Sequence, residues 1–288
     1  MTTVTVPTVS ERPDSGVIGT VAGKEIRDAL RSRWFWMWTL TFAGLAAFMA
    51  SVALPGSQVS GTGSFGRTAA SLVALTQIIV PLMGLTIGAY SIAGQRENGA
   101  LRFLLSHPIS RTEAFVGTFL GLGASLGATV FGGFGVAAVL TALRGGGADA
   151  MSFAMIALLS WLLAVSMLGV GMLVSTFATR ASTALGVSVF AWLLLVFVGD
   201  LGVMGTSTAT KLPTWSLLVT SIANPVEAFR LASLTAFEGS LDVLGPAGRY
   251  AVDRFGDSLG LALFVVMALW AVVPMVLALL RFRSKGDI

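Results

Sequence analysis

The sequence predicts an all-α integral membrane protein with six transmembrane helices. Charged residues make up only 11% of the 288 residues, and the mean hydropathy is +0.85. A soluble surface needs about a quarter charged residues, which this chain does not have. Six uncharged runs each match the roughly 20 helical residues that cross about 30 Å of hydrocarbon. We also predict an N-terminal amphipathic interface helix, a short cytoplasmic helix between spans two and three, and short outer interfacial helices between spans five and six.

The N-terminal segment divides into a tail and a helix. Residues 1–16 are polar and contain Pro7 and Pro13, so we predict a disordered tail. Residues 17–33 are predicted to form an amphipathic helix, because apolar residues recur along one stripe and charged residues lie on the other side. Its charged residues include Lys24, Glu25, Arg27, Asp28 and Arg31. We expect the helix to lie flat at the membrane surface and to run straight into the first span.

The spans follow in order and end near charges, glycines or prolines. Tryptophans at the start of the first span form an aromatic belt, and Pro81 is expected to kink the second span. We predict that residues 282–288 form a cytoplasmic tail. The six spans are predicted at residues 34–54, 68–94, 114–143, 150–179, 181–199 and 258–280.

A short polar and basic island, residues 91–113, separates the second span from the third. Moving its charged side chains into hydrocarbon would cost several kcal/mol, so the island must lie in water at one membrane surface. Leu101, Leu104 and Leu105 recur at helical spacing and Pro108 follows as a stop, which predicts a helix of two or three turns. Charges of both signs beside bulky apolar residues favour a docking helix. The alternative is a lipid-surface interfacial helix, which would usually be more uniformly basic.

The placement of lysine and arginine predicts the orientation. If both termini and the island share one side, that side holds 12 of the 18 basic residues and the other side holds 6. Cytoplasmic loops carry the excess of these residues. We therefore expect a multi-pass protein of the inner (plasma) membrane with both termini in the cytoplasm. Because the basic residues cluster at segment ends, the high pI does not indicate nucleic-acid binding.

Residues 203–257 form the only sizeable segment predicted on the outer side. Asn224 and Pro225 are typical of a helix start, with Asn as the cap, Pro at the first position and Glu227 three residues after the cap. We expect a small cap of interfacial helices. A simple connector is the alternative, although loops longer than about 15 residues tend to be functional.

The chain carries no recognisable catalytic or metal-binding motif. It has no cysteine, and its one histidine is His107, so a single chain cannot build a histidine-based metal site or catalytic pair. A proton-coupled carrier would usually keep a carboxylate or histidine near the middle of the membrane, and the spans show none there. The sequence therefore predicts no catalytic residue and no metal ligand.

Two residue types in the spans allow further interpretations. Thioethers suit Cu(I), but methionine is also a generic gap-filler in helices, and we favour packing. The methionines concerned are Met83, Met151, Met155, Met167 and Met172. The glycine pairs Gly117/Gly121 and Gly123/Gly127 permit close helix approach, within the chain or between subunits.

Three stretches together resemble the permeases of ABC-2-type transporters. They are Lys24-Glu-Ile-Arg-Asp28, the island Gln95-Arg-Glu-Asn-Gly-Ala-Leu-Arg-Phe-Leu-Leu-Ser-His-Pro-Ile-Ser-Arg111, and Asn224-Pro-Val-Glu-Ala-Phe-Arg-Leu231. The resemblance runs from residue 17 to residue 281. The third stretch is similar to the branch that helps to mature the copper enzyme nitrous oxide reductase. Gln95 and Ala100 stand where relatives often carry an acid and a threonine.

The resemblance implies a homodimer of six-span subunits, each docked on a separate cytoplasmic ATPase subunit that binds ATP and Mg²⁺. This chain would then have no cofactor and no catalysis of its own. Residues 24–33 would be a connecting helix, and the island would hold a coupling helix that sits in a cleft of the ATPase. The implied coupling residues are Arg96, Glu97, Gly99, Leu101, Arg102, Leu104, Leu105, Pro108 and Arg111.

In the branch concerned, the outer segment would pass motion to a periplasmic partner that handles copper or a sulfur species. The implied contact residues are Asn224, Pro225, Glu227, Phe229 and Arg230. One alternative within the family is an exporter of drugs or lipids. From a different class, a membrane scaffold or a membrane enzyme is the second alternative.

Overall fold

A computed structural model of the chain describes residues 14–52, 62–143, 150–208, 219, 222–235 and 254–284. Within these ranges the chain is helical, with short turns and one 3-10 turn, and it contains no strand. The predictions for residues 1–13, for most of residues 209–253 and for residues 285–288 lie outside the described residues. The α-helices are α1 (Ser15–Arg31), α2 (Arg33–Val52), α3 (Thr62–Glu97), α4 (Ala100–Leu105), α5 (Arg111–Leu143), α6 (Ala150–Phe177), α7 (Ala181–Thr208), α8 (Pro225–Thr235) and α9 (Leu259–Ser284).

Five of these helices are long and apolar enough to cross a membrane, as expected of an integral membrane protein. The spanning stretches are Arg33–Val52, Ala70–Glu97, Arg111–Leu143, Met151–Phe177 and Leu259–Ser284. In α7 the apolar stretch with described side chains, Ala181–Phe197, is shorter. The sixth span therefore stays a prediction.

Several helix boundaries differ from the predicted ones because local capping sets them. Asp14 caps α1 by accepting a hydrogen bond from the Gly16 amide at 2.8 Å, so residues 14–16 belong to the helix start and not to a tail. The helix ends at Arg31, and Ser32 is extended before α2 begins. Helix α5 starts at Arg111, before the predicted residue 114, and α7 continues past residue 199 to Thr208.

Helix α6 lies at the centre of the bundle and packs against α3, α5 and α9. Helices α1 and α2 pack on α5, and α7 packs on α3. Small residues allow α3 and α6 to approach closely, since a Cβ at Gly88 would lie 2.5 Å from the Leu168 carbonyl oxygen. Met83, Met167 and Met172 are fully buried in the core, whereas Met151 and Met155 are exposed at the start of α6. The methionines thus occupy different environments.

The two predicted glycine pairs of α5 are both occupied by neighbours within the chain. Gly117 and Gly121 lie against α1, where a Cβ at either position would be 2.6 Å from an atom of that helix. On another side of α5, the Trp161 indole of α6 lies over Gly127 and donates a hydrogen bond to the Gly123 carbonyl at 2.9 Å. The glycines therefore allow α1 and Trp161 to pack closely on α5, and the close contacts seen here lie within one chain.

The start of α8 is as predicted, but the location of the helix is not. The Asn224 side-chain oxygen accepts a hydrogen bond from the Val226 amide at 3.0 Å, and Pro225 is the first helical residue. Helix α8 packs against α3, α6, α7 and α9, and most of its side chains are buried. It is therefore an internal element of the bundle, where we predicted part of a small outer cap of interfacial helices.

Two side-chain hydrogen bonds show how deep α8 begins. The Asn224 amide donates to the Leu195 carbonyl at 2.7 Å, and the Trp270 indole donates to the Ile222 carbonyl at 3.1 Å. Trp270 lies roughly 16 Å along α9 from its first residue, at 1.5 Å per residue. That distance is about half the hydrocarbon thickness. Helix α8 therefore starts well inside the bundle.

The residues predicted to contact a periplasmic partner are mostly inaccessible in this structure. Asn224, Pro225, Glu227 and Phe229 are all buried, and the Phe229 ring is fully enclosed. Arg230 keeps about a third of its side chain exposed and lies 3.8 Å from the Glu227 carboxylate. A direct contact surface built from the whole set is thus ruled out for this conformation.

Candidate functional site

The turn between α3 and α5 is built around one glycine and one short helix. Helix α3 ends at Glu97, and Gly99 has a φ of +77°, a left-handed conformation that glycine adopts without a Cβ clash. The Asn98 side chain accepts a hydrogen bond from the Ala100 amide at 3.0 Å and so supports the first turn of α4. The chain then passes exposed Pro108 before α5 begins. The turn therefore contains a helix of six residues, which is shorter than the predicted two or three turns.

The three leucines of α4, which the resemblance implies as coupling residues, are turned toward the bundle to different degrees. Leu101 is 3% exposed and belongs to the core of the bundle, and Leu105 packs against the same core. Leu104 is half-buried. A six-residue helix beside a large apolar bundle turns its leucines toward that bundle, because burial there removes apolar surface from water. These leucines mainly anchor α4 to its own chain.

Phe103 is the side chain that projects from the turn. It is 71% exposed, and its neighbours Arg102 and His107 are exposed as well. The His107 ring packs edge-on against Phe103 with 5.0 Å between centroids, and its Nδ1 lies 3.0 Å from the Phe103 carbonyl oxygen. We name Arg102, Phe103 and His107 the tip. It presents an aromatic ring flanked by a cationic side chain and an imidazole.

Arg96 and Glu97 contact the loop between α6 and α7. The Arg96 guanidinium donates a hydrogen bond from Nη1 to the Ala178 carbonyl at 2.6 Å, just past the end of α6. The Glu97 carboxylate accepts a hydrogen bond from the Ala181 amide at 2.9 Å, at the start of α7. A cation at a helix C-terminus and an anion at a helix N-terminus both complement the helix dipoles. In this structure the two predicted docking charges thus hold two helix ends of their own chain.

A second connection lies about one turn further into the bundle. The Ser175 hydroxyl of α6 donates to the Ala89 carbonyl at 2.6 Å and accepts from the Ala93 amide at 2.8 Å. A side chain that enters the hydrogen-bond ladder of a helix in this way is a recognised cause of bending. The last two turns of α3 are thus fixed to α6 by side-chain hydrogen bonds.

Glu113 joins the start of α5 to the start of α1. Ser110 and Glu113 form a capping box: the Ser110 amide donates to Glu113 Oε2 at 2.7 Å, and the Glu113 amide donates to Ser110 Oγ at 3.2 Å. The other oxygen, Oε1, accepts a hydrogen bond from the Asp14 amide at 2.7 Å. One buried carboxylate therefore satisfies both helix starts and connects α1 to the turn.

The charged residues of α1 divide between water and the bundle. Lys24, Arg27, Asp28 and Arg31 are exposed, whereas Glu25 is buried, with its Oε1 3.2 Å from Lys24 Nζ. Burial lowers the pKa of Lys24, but the Glu25 charge and hydrogen bonds to Asp28 and Glu25 outweigh it, so this pKa lies above its usual value. Lys24 therefore remains a cation at neutral pH.

Several residues that hold or form the site were not in the predicted set, among them Glu113, Phe103, Ser175 and His107. Glu113 could have been found, because Ser110-x-x-Glu113 is a capping-box pattern ahead of an apolar run. Phe103 lies inside the predicted helix, but nothing in the sequence indicates that it points outward. Ser175 lies 82 residues away from its partner Ala93, and no local pattern connects them.

Comparison with known proteins covers nearly the whole chain. The family described as "ABC-2 family transporter protein" matches residues 19–286. A protein of Stutzerimonas stutzeri named "Probable ABC transporter permease protein NosY" is 31% identical over 278 residues, which is 92% of this chain and 97% of that protein. A protein of the same name from Pseudomonas aeruginosa is 29% identical over 279 residues, covering 93% of this chain and 98% of its own length. The matched region includes every helix described above except the first residues of α1.

Proposed function

We propose, from the premise that this chain belongs to the ABC-2 family of transporter permeases, that its tip docks on a separate cytoplasmic ATPase subunit and passes ATP-driven motion to the membrane helices. Permeases of this family work with a cytoplasmic ATPase partner and are generally not catalytic themselves. The observation that carries the proposal is Phe103, a large aromatic side chain left 71% exposed on a short helix between two spans. Aromatic residues flanked by charges are typical anchors of protein interfaces.

The contacts around the turn suggest how the motion spreads. Helices α3 and α5 leave the two ends of the turn, so a displacement of α4 tilts both as levers. Arg96 and Glu97 extend the effect to the ends of α6 and α7, and Glu113 extends it to α1. Five helices are therefore mechanically connected to this one turn. This supports the use of the turn as a coupling element.

The decisive experiment is removal of the aromatic ring at the tip. Phe103→Ala is expected to weaken binding of the purified ATPase subunit about 30-fold, which corresponds to the roughly 2 kcal/mol of an interface hot spot. Phe103→Asp is expected to abolish co-purification. Because the ring is mostly exposed, the free energy of unfolding of the chain should change by less than about 0.5 kcal/mol.

Asn98→Asp is the matched control, since it places a negative charge on the same turn and keeps both the cap and the ring. It should retain the ATPase. Unchanged affinity in Phe103→Asp would contradict the docking role. Labelling of the Ser106→Cys variant from outside the cell would also contradict it. The introduced cysteine has no competing thiol, because the chain has no other cysteine. The proposal places this turn and both termini in the cytoplasm, in line with the excess of basic residues.

We further propose that the transporter acts in maturation of nitrous oxide reductase, as a homodimer with a periplasmic partner that handles copper or a sulfur species. The names of the two relatives and the resemblance of Asn224–Leu231 support this branch. Since α8 is buried, motion would reach that partner through the segments around α8 and not through its own side chains.

Complementation separates this role from export of drugs or lipids. In a denitrifying strain that lacks its own permease, the chain with its ATPase is expected to restore the copper content of nitrous oxide reductase. The Phe103→Asp variant should not restore it. Restored resistance to a toxic compound, with copper loading still absent, would favour the exporter.

A further inference from the structure

A cavity of about 520 Å³ lies where α1 meets α2, α3, α5 and α7. Its volume is in the range of small-molecule sites, which is about 300–1,000 Å³. Trp34 and Tyr90 line it and are 51% and 53% exposed, so the cavity opens between these two rings. It lies at the same end of the bundle as the tip, but it includes none of the tip residues.

The walls of the cavity have two chemical characters. Apolar side chains, among them Phe35, Ile87, Leu122 and Leu185, form one part. The other part carries the carboxylates Glu25 and Asp28 from α1 and the amide of Gln95 from α3. A molecule that fills the space must therefore be amphiphilic, with hydrocarbon on one part and hydrogen-bond donors on the other.

Glu25 sets the charge that the ligand must carry. The residue is 7% exposed, and its Oε1 accepts hydrogen bonds from Lys24 Nζ at 3.2 Å and from Gln95 Nε2 at 3.3 Å. Among the described residues no donor hydrogen-bonds to its second oxygen, Oε2. The formal charges of Lys24, Glu25 and Asp28 add up to −1 (+1, −1 and −1). Oε2 is not among the enclosed polar atoms of the described residues, so it is accessible from the cavity. A cationic donor in the cavity would complete both its hydrogen bonding and the charge.

We propose that this cavity binds the primary ammonium head of an amphiphile. An –NH₃⁺ group brings three donors, enough for Glu25, Asp28 and the Gln95 carbonyl oxygen together. The Trp34 and Tyr90 rings at the opening favour a cation over a neutral group. The hydrocarbon part lies against the apolar wall. The same chemistry is offered by phosphatidylethanolamine of the bilayer and by a free alkylamine, and the cavity accepts either through its head group.

Native mass spectrometry of the full chain in detergent, titrated with dodecylamine, tests the proposal without any ATPase. Wild-type chain is expected to bind dodecylamine at least tenfold more tightly than dodecyltrimethylammonium, which cannot donate, or dodecanol, which has no charge. Glu25→Gln should weaken dodecylamine binding about tenfold. Leu122→Trp should fill the cavity and abolish binding, whereas Leu120→Trp, on the lipid-exposed side of the same helix, should not.

A second arm identifies the source of the head group. Chain reconstituted with phosphatidylethanolamine should retain this lipid through delipidation, and chain reconstituted with phosphatidylglycerol should retain none. Retention identifies the lipid, while dodecylamine binding without retention identifies a free alkylamine, and both results support the ammonium site. Equal binding of the three dodecyl probes would overturn the proposal. Unchanged dodecylamine binding in both Glu25→Gln and Leu122→Trp would also overturn it. The proposal would fail as well if Trp34→Cys of one chain formed a cross-link with Leu185→Cys of a second copy and this cross-link prevented amine binding.

Discussion

Alanine at both Gly117 and Gly121 is expected to detach α1 from α5. A methyl group at Gly117 would lie 2.6 Å from Val21 Cβ, and one at Gly121 would lie 2.6 Å from the Ala22 carbonyl oxygen. The Ala22 oxygen belongs to the backbone, so the clash is relieved only if the whole of α1 shifts. Over-packing of this kind costs about 1–3 kcal/mol per site. The pair should therefore lower the stability of the α1 contact by several kcal/mol.

The matched control is alanine at both Gly132 and Gly135 of the same helix. A Cβ at either of these positions meets nothing within 4 Å. Alanine is favoured over glycine in a helix by up to about 1 kcal/mol, so this pair should be neutral or slightly stabilising. Limited trypsin digestion at Lys24 and Arg27 measures the release of α1 directly. Equal cleavage rates in the two double variants would show that packing of α1 on α5 does not depend on Gly117 and Gly121.

Hydropathy and capping patterns could predict the helices because they are local properties. A run of apolar residues as long as a bilayer has few alternatives to a spanning helix. The start of α8 was predictable for the same reason, since Asn224 and Pro225 act on the backbone next to them. The cap at Asp14 and the capping box at Ser110 are equally local, so the sequence also carries the signals for the starts of α1 and α5.

The sequence could not predict which way the side chains of the site face. Helical spacing groups Leu101 with Leu105, but it does not say whether that face meets a partner or the bundle. The same ambiguity applies to α8, whose residues suit an interface between lipid and water as well as the interior where they lie. Only the packing of distant helices decides between these possibilities.

Charges near a membrane surface have the same ambiguity. Arg96 and Glu97 suit a partner with complementary charge, and they equally suit the polar ends of helices in their own chain. Their partners, Ala178 and Ala181, lie 82 and 84 residues away and contribute only backbone groups. No residue pattern could reveal such a contact, because any residue offers the same carbonyl and amide.

Glu97→Gln is expected to behave nearly as the wild type, whereas Glu97→Ala combined with Arg96→Ala is expected to loosen the loop between α6 and α7. A glutamine keeps an oxygen that can accept from the Ala181 amide, so the helix start stays capped. The double alanine variant removes both hydrogen bonds. Loss of the Glu97 cap costs about 1 kcal/mol. Loss of the hydrogen bond from the charged Arg96 costs about 1.5–3 kcal/mol, and we expect the lower part of this range because these groups are partly exposed.

Hydrogen exchange at the Ala181 amide measures this effect at the bond itself. The double alanine variant should exchange roughly tenfold or more faster than the wild type, and Glu97→Gln should stay within a few-fold, given that 1.4 kcal/mol is a factor of ten. The ATPase subunit should still bind all three proteins, because the tip is intact, but ATP hydrolysis should no longer be coupled in the double variant.

The comparison between glutamine and alanine decides between the two roles of Glu97. Suppose that the carboxylate were needed because its charge pairs with a cation of the ATPase. Glutamine would then be as damaging as alanine. In the glutamine variant the ATPase affinity would fall while hydrogen exchange at Ala181 stayed unchanged. If the carboxylate caps α7, the glutamine variant keeps the wild-type exchange rate, ATPase affinity and coupling. Since Ala181 is the hydrogen-bonded partner seen in the structure, we expect the second pattern. Arg96 and Glu97 then transmit force to α6 and α7, and the tip, with Phe103 as its main anchor, carries the affinity.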